Sequence, residues 1–188
     1  RTRTHLRRLG REEEFRWLEP GEDAVYDERL TVDLAAVEPL VATPSMPDNV
    51  VPAREAAGTP VDQCIVGSCT NGSYLETATV ADVVAGETVA PETDAVVAPA
   101  SKRAIETLTR EGGTAELYAA GVSVSEATCG ACIGQGHVPA PDSVSLRAFN
   151  RNFSGRSGQP DDAVYLASPE TVAASAVAGE IVDPRYTD

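Results

Sequence analysis

Lysine is nearly missing from this sequence: of its 15 basic residues one is Lys102 and the rest are arginine. Basic residues as a whole are outnumbered, 15 against 29 acidic ones, for a net charge of −14. A surface of that sign repels phosphate backbones and anionic membranes, which argues against nucleic acid and membranes as partners. An acid-rich, lysine-poor balance suits work at high salt, where screening weakens self-repulsion; GC-rich codon usage gives the same bias. Long apolar runs are absent too, and none approaches the ~20 residues needed to span a bilayer. The charged start RTRTHLRRLGREEEF is no signal peptide and does not open on Met, so Arg1 reads as a cut point and the chain as a piece. Without a secretion signal, a cytoplasmic location is expected, and there four clustered cysteines point to metal or redox chemistry rather than disulfides.

What is present is enough for one sizeable core, since 42% of 188 residues are hydrophobic. Residues 1–60 read as a lead-in segment. A basic amphipathic stretch runs through Trp17, then Pro39, Pro44, Pro47, Pro52 and Pro60 leave little room for long elements, so mostly extended chain lying over a neighbouring domain is expected. From residue 61 strands and helices alternate. VDQCIVG, DAVVAPA, a short run near GVSVS, DSVSLRAFN and DAVYLA read as strands. NGSYLETATVADVVAG, SKRAIETLTREGG, TAELYAA and SPETVAASAVAGE read as helices, with Ser101 and Ser168 as N-caps, Pro169 at a first helical position, and Gly86 and Gly179 at C-termini. That order predicts an α/β layered domain over residues 61–188 with a largely parallel sheet. In such sheets ligands gather at the carboxyl ends of strands.

Three segments at such positions carry chemistry. GSCTNG (67–72) lies at a strand-to-helix turn, where glycines let the backbone approach a bulky ligand and Cys69 sits by the start of a helix whose dipole favours a thiolate. ATCGACIGQG (127–136) holds Cys129 and Cys132 at the spacing that places two thiolates on one metal centre. FNRNFSGRSG (149–158) offers Arg151 and Arg156, with Arg147 nearby and amides at Asn150 and Asn152. Across residues 127–160 the only acid is Asp142, where the chain's overall acidic content would put about five. Clearing acids from both the cysteine loop and the arginine loop protects an anion site, and arginine forks bind carboxylates. Cys64, five residues before Cys69 on a strand, points to the other face and reads as a small buried hydrophobe. A closed four-cysteine zinc site, a redox pair at CGAC or an electron-transfer module is the rival reading. His137 reads as a surface loop residue.

GSCTNG, CGACIGQG and NRNFSGR, in that order, resemble the aconitase superfamily, which includes homoaconitase and isopropylmalate dehydratase; the resemblance runs from PSMPDNVVP to the end of the last helix. It implies a [4Fe–4S] cluster held by Cys69, Cys129 and Cys132, with the fourth iron free of protein ligands. It implies that Arg151, Arg156 and Asn150 bind substrate, while Asn71 lies behind the cluster or caps a helix. CGACIGQG and FNRNFSGRSG look closer to aconitate hydratase, so a hydro-lyase of the tricarboxylic acid cycle interconverting citrate and isocitrate is expected, with homoaconitase or isopropylmalate dehydratase as the alternative. The proton-transfer groups belong to other domains of such enzymes, including a swivel domain, so the chain alone is expected to be inactive.

Overall fold

The computed structural model describes residues 1–186, and the chain divides into two compact units, 1–37 and 38–188. In the first unit a short helix, α1 (Thr2–Arg8), is tied by Arg3 and Arg7 to Glu12, and the rest is irregular apart from single 3-10 turns. Its large apolar side chains, Leu18, Val25, Leu30 and Leu34 among them, are exposed.

The second unit is built on one seven-stranded sheet. It opens with a hairpin, β1 (Leu40–Ala42) and β2 (Val50–Pro52), followed by the single turn α2 (Ala53–Ala56). This is the stretch that proline content marks as lead-in. The prolines do not prevent pairing because Pro44 and Pro47 lie in the connecting turn and Pro52 ends an edge strand, where a missing N–H costs no ladder bond. Next come β3 (Gln63–Gly67), α3 (Ser68–Asn71), α4 (Tyr74–Val84), β4 (Asp94–Ala98), α5 (Lys102–Arg110), α6 (Gly113–Ala120) and β5 (Ser123–Val124). β6 (Val144–Ala148), β7 (Ala163–Leu166) and α7 (Pro169–Ala178) close the unit. Ser101 and Ser168 accept hydrogen bonds from the backbone N–H groups of Ala104 and Thr171, and Gly179 ends α7 in the left-handed region, as the sequence predicts.

The strand order is β2-β1-β7-β6-β3-β4-β5, with β3 to β7 mutually parallel and β1 antiparallel to both its neighbours. The sheet grows one way from β3 through β4 to β5, then returns to lay β6 against the other side of β3. Because parallel crossovers are right-handed, connections made in opposite directions fall on opposite faces. The packing follows that rule. Cys64, Val66, Val97, Leu146 and Ala148 pack one face against α4 to α7, through residues such as Val80, Val84, Leu117 and Val172. The other face, Ile65, Val96, Val164 and Leu166, is covered by Ala131, Cys132 and Phe149, which belong to the loops that follow β5 and β6. Helices therefore layer one side and chemistry-bearing loops the other. No helix among the described residues is long and apolar enough to cross a membrane.

Candidate metal centre

The sheet reverses its direction of growth between β3 and β6, and open α/β sheets bind ligands at the carboxyl ends of strands at such a point. β3 reaches that point through Gly67, whose φ of 141° and close approach to β4 admit no side chain: a Cβ there would lie 2.0 Å from the Ala98 carbonyl oxygen. Ser68 follows with a positive φ of 60°, and Cys69 is exposed one residue on. The helix expected behind Cys69 is broken in two, so the thiol sits on the four-residue α3 rather than on α4, and the dipole of a single turn offers it little. Asn71 closes α3, so it caps no N-terminus; its amide donates to the Ala148 carbonyl at 2.8 Å and ties the end of β3 to the end of β6.

The second cysteine segment forms a 3-10 turn, Gly130–Ile133, on the loop between β5 and β6. Cys132 donates its backbone N–H to the Cys129 carbonyl at 2.9 Å, and the Gln135 N–H reaches the Gly130 carbonyl at 2.9 Å, so the loop holds its own shape. Cys129 is exposed, whereas Cys132 is 6% exposed and packs in the second-face core. The third segment comes over the same loop. A Cβ on Gly134 would lie 2.6 Å from the Gly158 backbone, so the cysteine and arginine loops touch main chain to main chain. Arg156 donates to the Cys132 sulfur at 3.4 Å.

The remaining predicted residues divide. Arg151 and Asn150 are exposed, and among the described residues the Arg151 guanidinium donates to the Asn150 carbonyl of its own loop and to no other group. Asn152 is buried and structural: its amide donates to the carbonyls of Thr43 and Val164, pinning the arginine loop to the strands beneath. Cys64 is 2% exposed among the helices on the opposite face, and burial pushes its thiol up, so it stays protonated and apart from the other three. That removes the four-cysteine cage. His137 is partly exposed on the loop, with its imidazole 3.9 Å from the Asp94 carboxylate.

Three soft thiols on two segments suit iron–sulfur ligation, and two buried polar atoms near them in the chain, the Ser68 hydroxyl and the Arg156 Nε, have no hydrogen-bond partner among the described residues. Both are the kind of group an anionic cluster or a carboxylate would satisfy. Among the described residues no three His, Cys, Asp or Glu side chains gather closely enough to enclose one metal ion. A polynuclear cluster does not ask for that, because each thiolate takes a different iron. A cavity of about 570 Å³ lined by Arg54, Val83, Ala174 and Tyr186 lies at the helical layer, away from these thiols.

The pattern of the aconitase family, described as aconitate hydratase, matches residues 53–179. This chain belongs to the aconitase family. Over 174 residues it is 44% identical to the 3-isopropylmalate dehydratase large subunit 1 of Methanopyrus kandleri, covering 92% of this chain and 41% of that protein. It is 41% identical over 170 residues to the homoaconitase large subunit of Thermus thermophilus, covering 90% and 41%. The 3-isopropylmalate dehydratase large subunit 1 of Archaeoglobus fulgidus matches at 40% over 185 residues, 98% of this chain and 44% of that protein. The aconitase-family chain thus spans about two fifths of the length of the curated relatives it matches.

The relatives bear the names of the alternative reading, isopropylmalate dehydratase and homoaconitase, rather than of the expected aconitate hydratase, and they give no support to a place in the tricarboxylic acid cycle. CGACIGQG and NRNFSGR, on which that expectation rested, do not by themselves separate one family member from another.

Proposed function

We propose that this aconitase-family chain forms the cluster-binding part of a hydro-lyase acting on a 3-isopropylmalate-type substrate. The observation that supports it most is the Arg156 guanidinium laid against the Cys132 sulfur at 3.4 Å, on loops that touch main chain to main chain, with Cys69 following β3 where the sheet reverses its growth. In this reading Cys69, Cys129 and Cys132 hold three irons of a [4Fe–4S] cluster as thiolates. Bound there, the cluster supplies Lewis acidity at an iron with no protein ligand, which makes a substrate hydroxyl a better leaving group. Arg156, already half-buried with a free Nε, takes a substrate carboxylate; Arg151 and Asn150, exposed at the loop tip, close on the substrate's outer end. Asn71, whose amide donates to the Ala148 carbonyl, ties the turn that carries Cys69 to the end of β6, from which the arginine loop departs.

Proton transfer falls to other parts of the enzyme. The relatives are named large subunits and are more than twice as long as the part this chain matches, so the partners are further domains and a second subunit that complete the pocket. The isolated chain, reconstituted anaerobically with iron and sulfide, is expected to show no turnover; measurable dehydration of 3-isopropylmalate by it would contradict this division of labour.

Substrate choice is tested on the complete, reconstituted enzyme by comparing kcat/KM for 3-isopropylmalate, homoaconitate and citrate. A pocket shaped for an apolar arm strands a third carboxylate, so 3-isopropylmalate is expected to be preferred over citrate by on the order of 10²-fold or more. The similarity to the Thermus thermophilus protein favours homoaconitate as the second reading. A preference for citrate would contradict both.

A further inference from the structure

The second-face core contains a charge that the proposed chemistry does not use. Arg147, on β6, is 0% exposed. Among the described residues no carboxylate lies within ion-pair distance of it, and Asp162 and Asp94 act on it only at longer range. Burying an arginine without a partner anion is costly unless its N–H groups are satisfied. Burial lowers the Arg147 pKa to about 10, still well above neutrality, so the charge persists in the interior.

Each of its three nitrogens donates, and the four bonds point two ways. Toward the sheet, Nε donates to the Ser145 hydroxyl at 2.7 Å and Nη2 donates to the Gln63 side-chain carbonyl at 2.7 Å. Ser145 donates to the same Gln63 oxygen at 3.0 Å, and the Gln63 amide donates to Asp94 at 3.2 Å, which carries the network on to β4. Gln63 pairs with Ser145, and Ile65 with Arg147, across β3 and β6, so the whole network lies on the strand pair where the sheet reverses its growth. Toward the loop, Nη1 donates to the Ala131 carbonyl at 2.7 Å and Nη2 to the His137 carbonyl at 3.1 Å. Ala131 lies between Cys129 and Cys132, and His137 lies further along the same loop, before it returns to the sheet at β6. One guanidinium therefore grips the cysteine loop at two points six residues apart in sequence. The Phe149 ring, 5.7 Å from the guanidinium carbon, packs beside it. Lysine could not replace this arrangement, because an ammonium lacks the planar fork that reaches four acceptors at once.

We propose that Arg147 is the positioning residue of the cysteine loop, a buried fork that fastens the Ala131 and His137 carbonyls to β3 and β6 and so fixes Cys129 and Cys132 for ligation. The ligation half of this statement rests on the cluster reading given above; the fastening half does not. It goes beyond the carboxylate-binding arginines, since Arg147 donates to main-chain carbonyls of the cysteine loop.

The four cysteines provide their own controls. In the purified apo-protein under reducing conditions, alkylation by iodoacetamide is followed at each cysteine by mass spectrometry. Cys69 is exposed and on another loop, so it is the reference; Cys64 is in the helical-face core, so it reports global opening; Cys132 reports release of the loop. In R147Q the Cys132-to-Cys69 rate ratio is expected to rise at least about tenfold, since hydrogen bonds from a charged group hold the loop closed. R147K keeps the charge without the fork and is expected to behave like R147Q. A wild-type ratio in either variant overturns the proposal. Where R147Q also makes Cys64 reactive, the ratio is read in S145A, which removes one acceptor and keeps the charge; a rise of about threefold supports the proposal and no rise overturns it. Iron uptake separates the two readings. If the wild-type protein takes up iron and sulfide, R147Q is expected to hold iron about tenfold less well against a chelator, and equal retention overturns the ligation half. If the wild type takes up none, the cluster reading fails while the alkylation ratio still judges the fastening.

Discussion

Replacing Cys69, Cys129 or Cys132 singly with serine is expected to lower turnover of the complete enzyme by on the order of 10³-fold or more, because a Lewis-acid metal centre contributes several kcal/mol to such a barrier. Serine keeps the size of each side chain but offers iron a hydroxyl that is protonated at neutral pH. Cys69 and Cys129 are exposed, so their loss costs the fold little; Cys132 is packed against Phe149 and Ile65, so C132S also places a hydroxyl in an apolar contact. The control is Cys64→Ala. That thiol sits among the helices on the other face of the sheet, and its removal is expected to cost about 1 kcal/mol of stability while leaving iron and sulfide content unchanged. Iron and sulfide assays on the four variants check the assignment. Loss of iron in C64A, or full iron in any one of the other three, would contradict it.

The second large effect is expected at Gly67. Its φ of 141° lies where L side chains are strained, and a Cβ would meet the Ala98 carbonyl oxygen at 2.0 Å and its carbon at 2.6 Å. Gly67 and Ala98 are paired residues of adjacent parallel strands, so neither backbone can move away without breaking the ladder. Gly67→Ala is therefore expected to cost about 4 kcal/mol or more, which for a chain of this size is a fall of roughly 10 °C in Tm. It should also misplace Cys69, two residues on. Gly86→Ala is the comparison, since Gly86 has a φ of 79° but open space around it, and about 1 kcal/mol is expected there. Thermal unfolding of the two variants decides the matter: equal losses would mean that the contact with β4 plays no part.

Much of this molecule is legible in its sequence, and the parts that are not share a cause. The helix caps at Ser101 and Ser168 and the strands from 63 to 166 depend on local propensity and short-range pattern, so reading along the chain finds them. The cysteine and arginine motifs declare themselves through residue type and through the lack of acids around them. The β1–β2 hairpin is hidden because its pairing with β7 spans more than a hundred residues, while its prolines signal only that long elements are excluded. Asn152 and Arg147 are hidden for the same reason. As letters they join the anion-binding arginines and amides of FNRNFSGR, and only the pairing of β6 with β3 shows Arg147 turned inward, onto Ala131 and His137. Its one signal was position: a residue inside an apolar strand, flanked by Leu146 and Ala148, is poorly placed to meet a substrate in solvent. The choice among the family's substrates was not legible, since the three motifs resemble the superfamily as a whole and do not separate its members.

The most direct measurement is iron and acid-labile sulfide analysis of the anaerobically reconstituted protein, followed by EPR after mild oxidation. A cluster held by three thiolates leaves one iron without a protein ligand, so oxidation should release that iron and give a [3Fe–4S] signal that added iron(II) and reductant remove. Zinc in place of iron, an absence of sulfide, or a cluster that keeps all four irons through oxidation would contradict an open-iron site built on Cys69, Cys129 and Cys132.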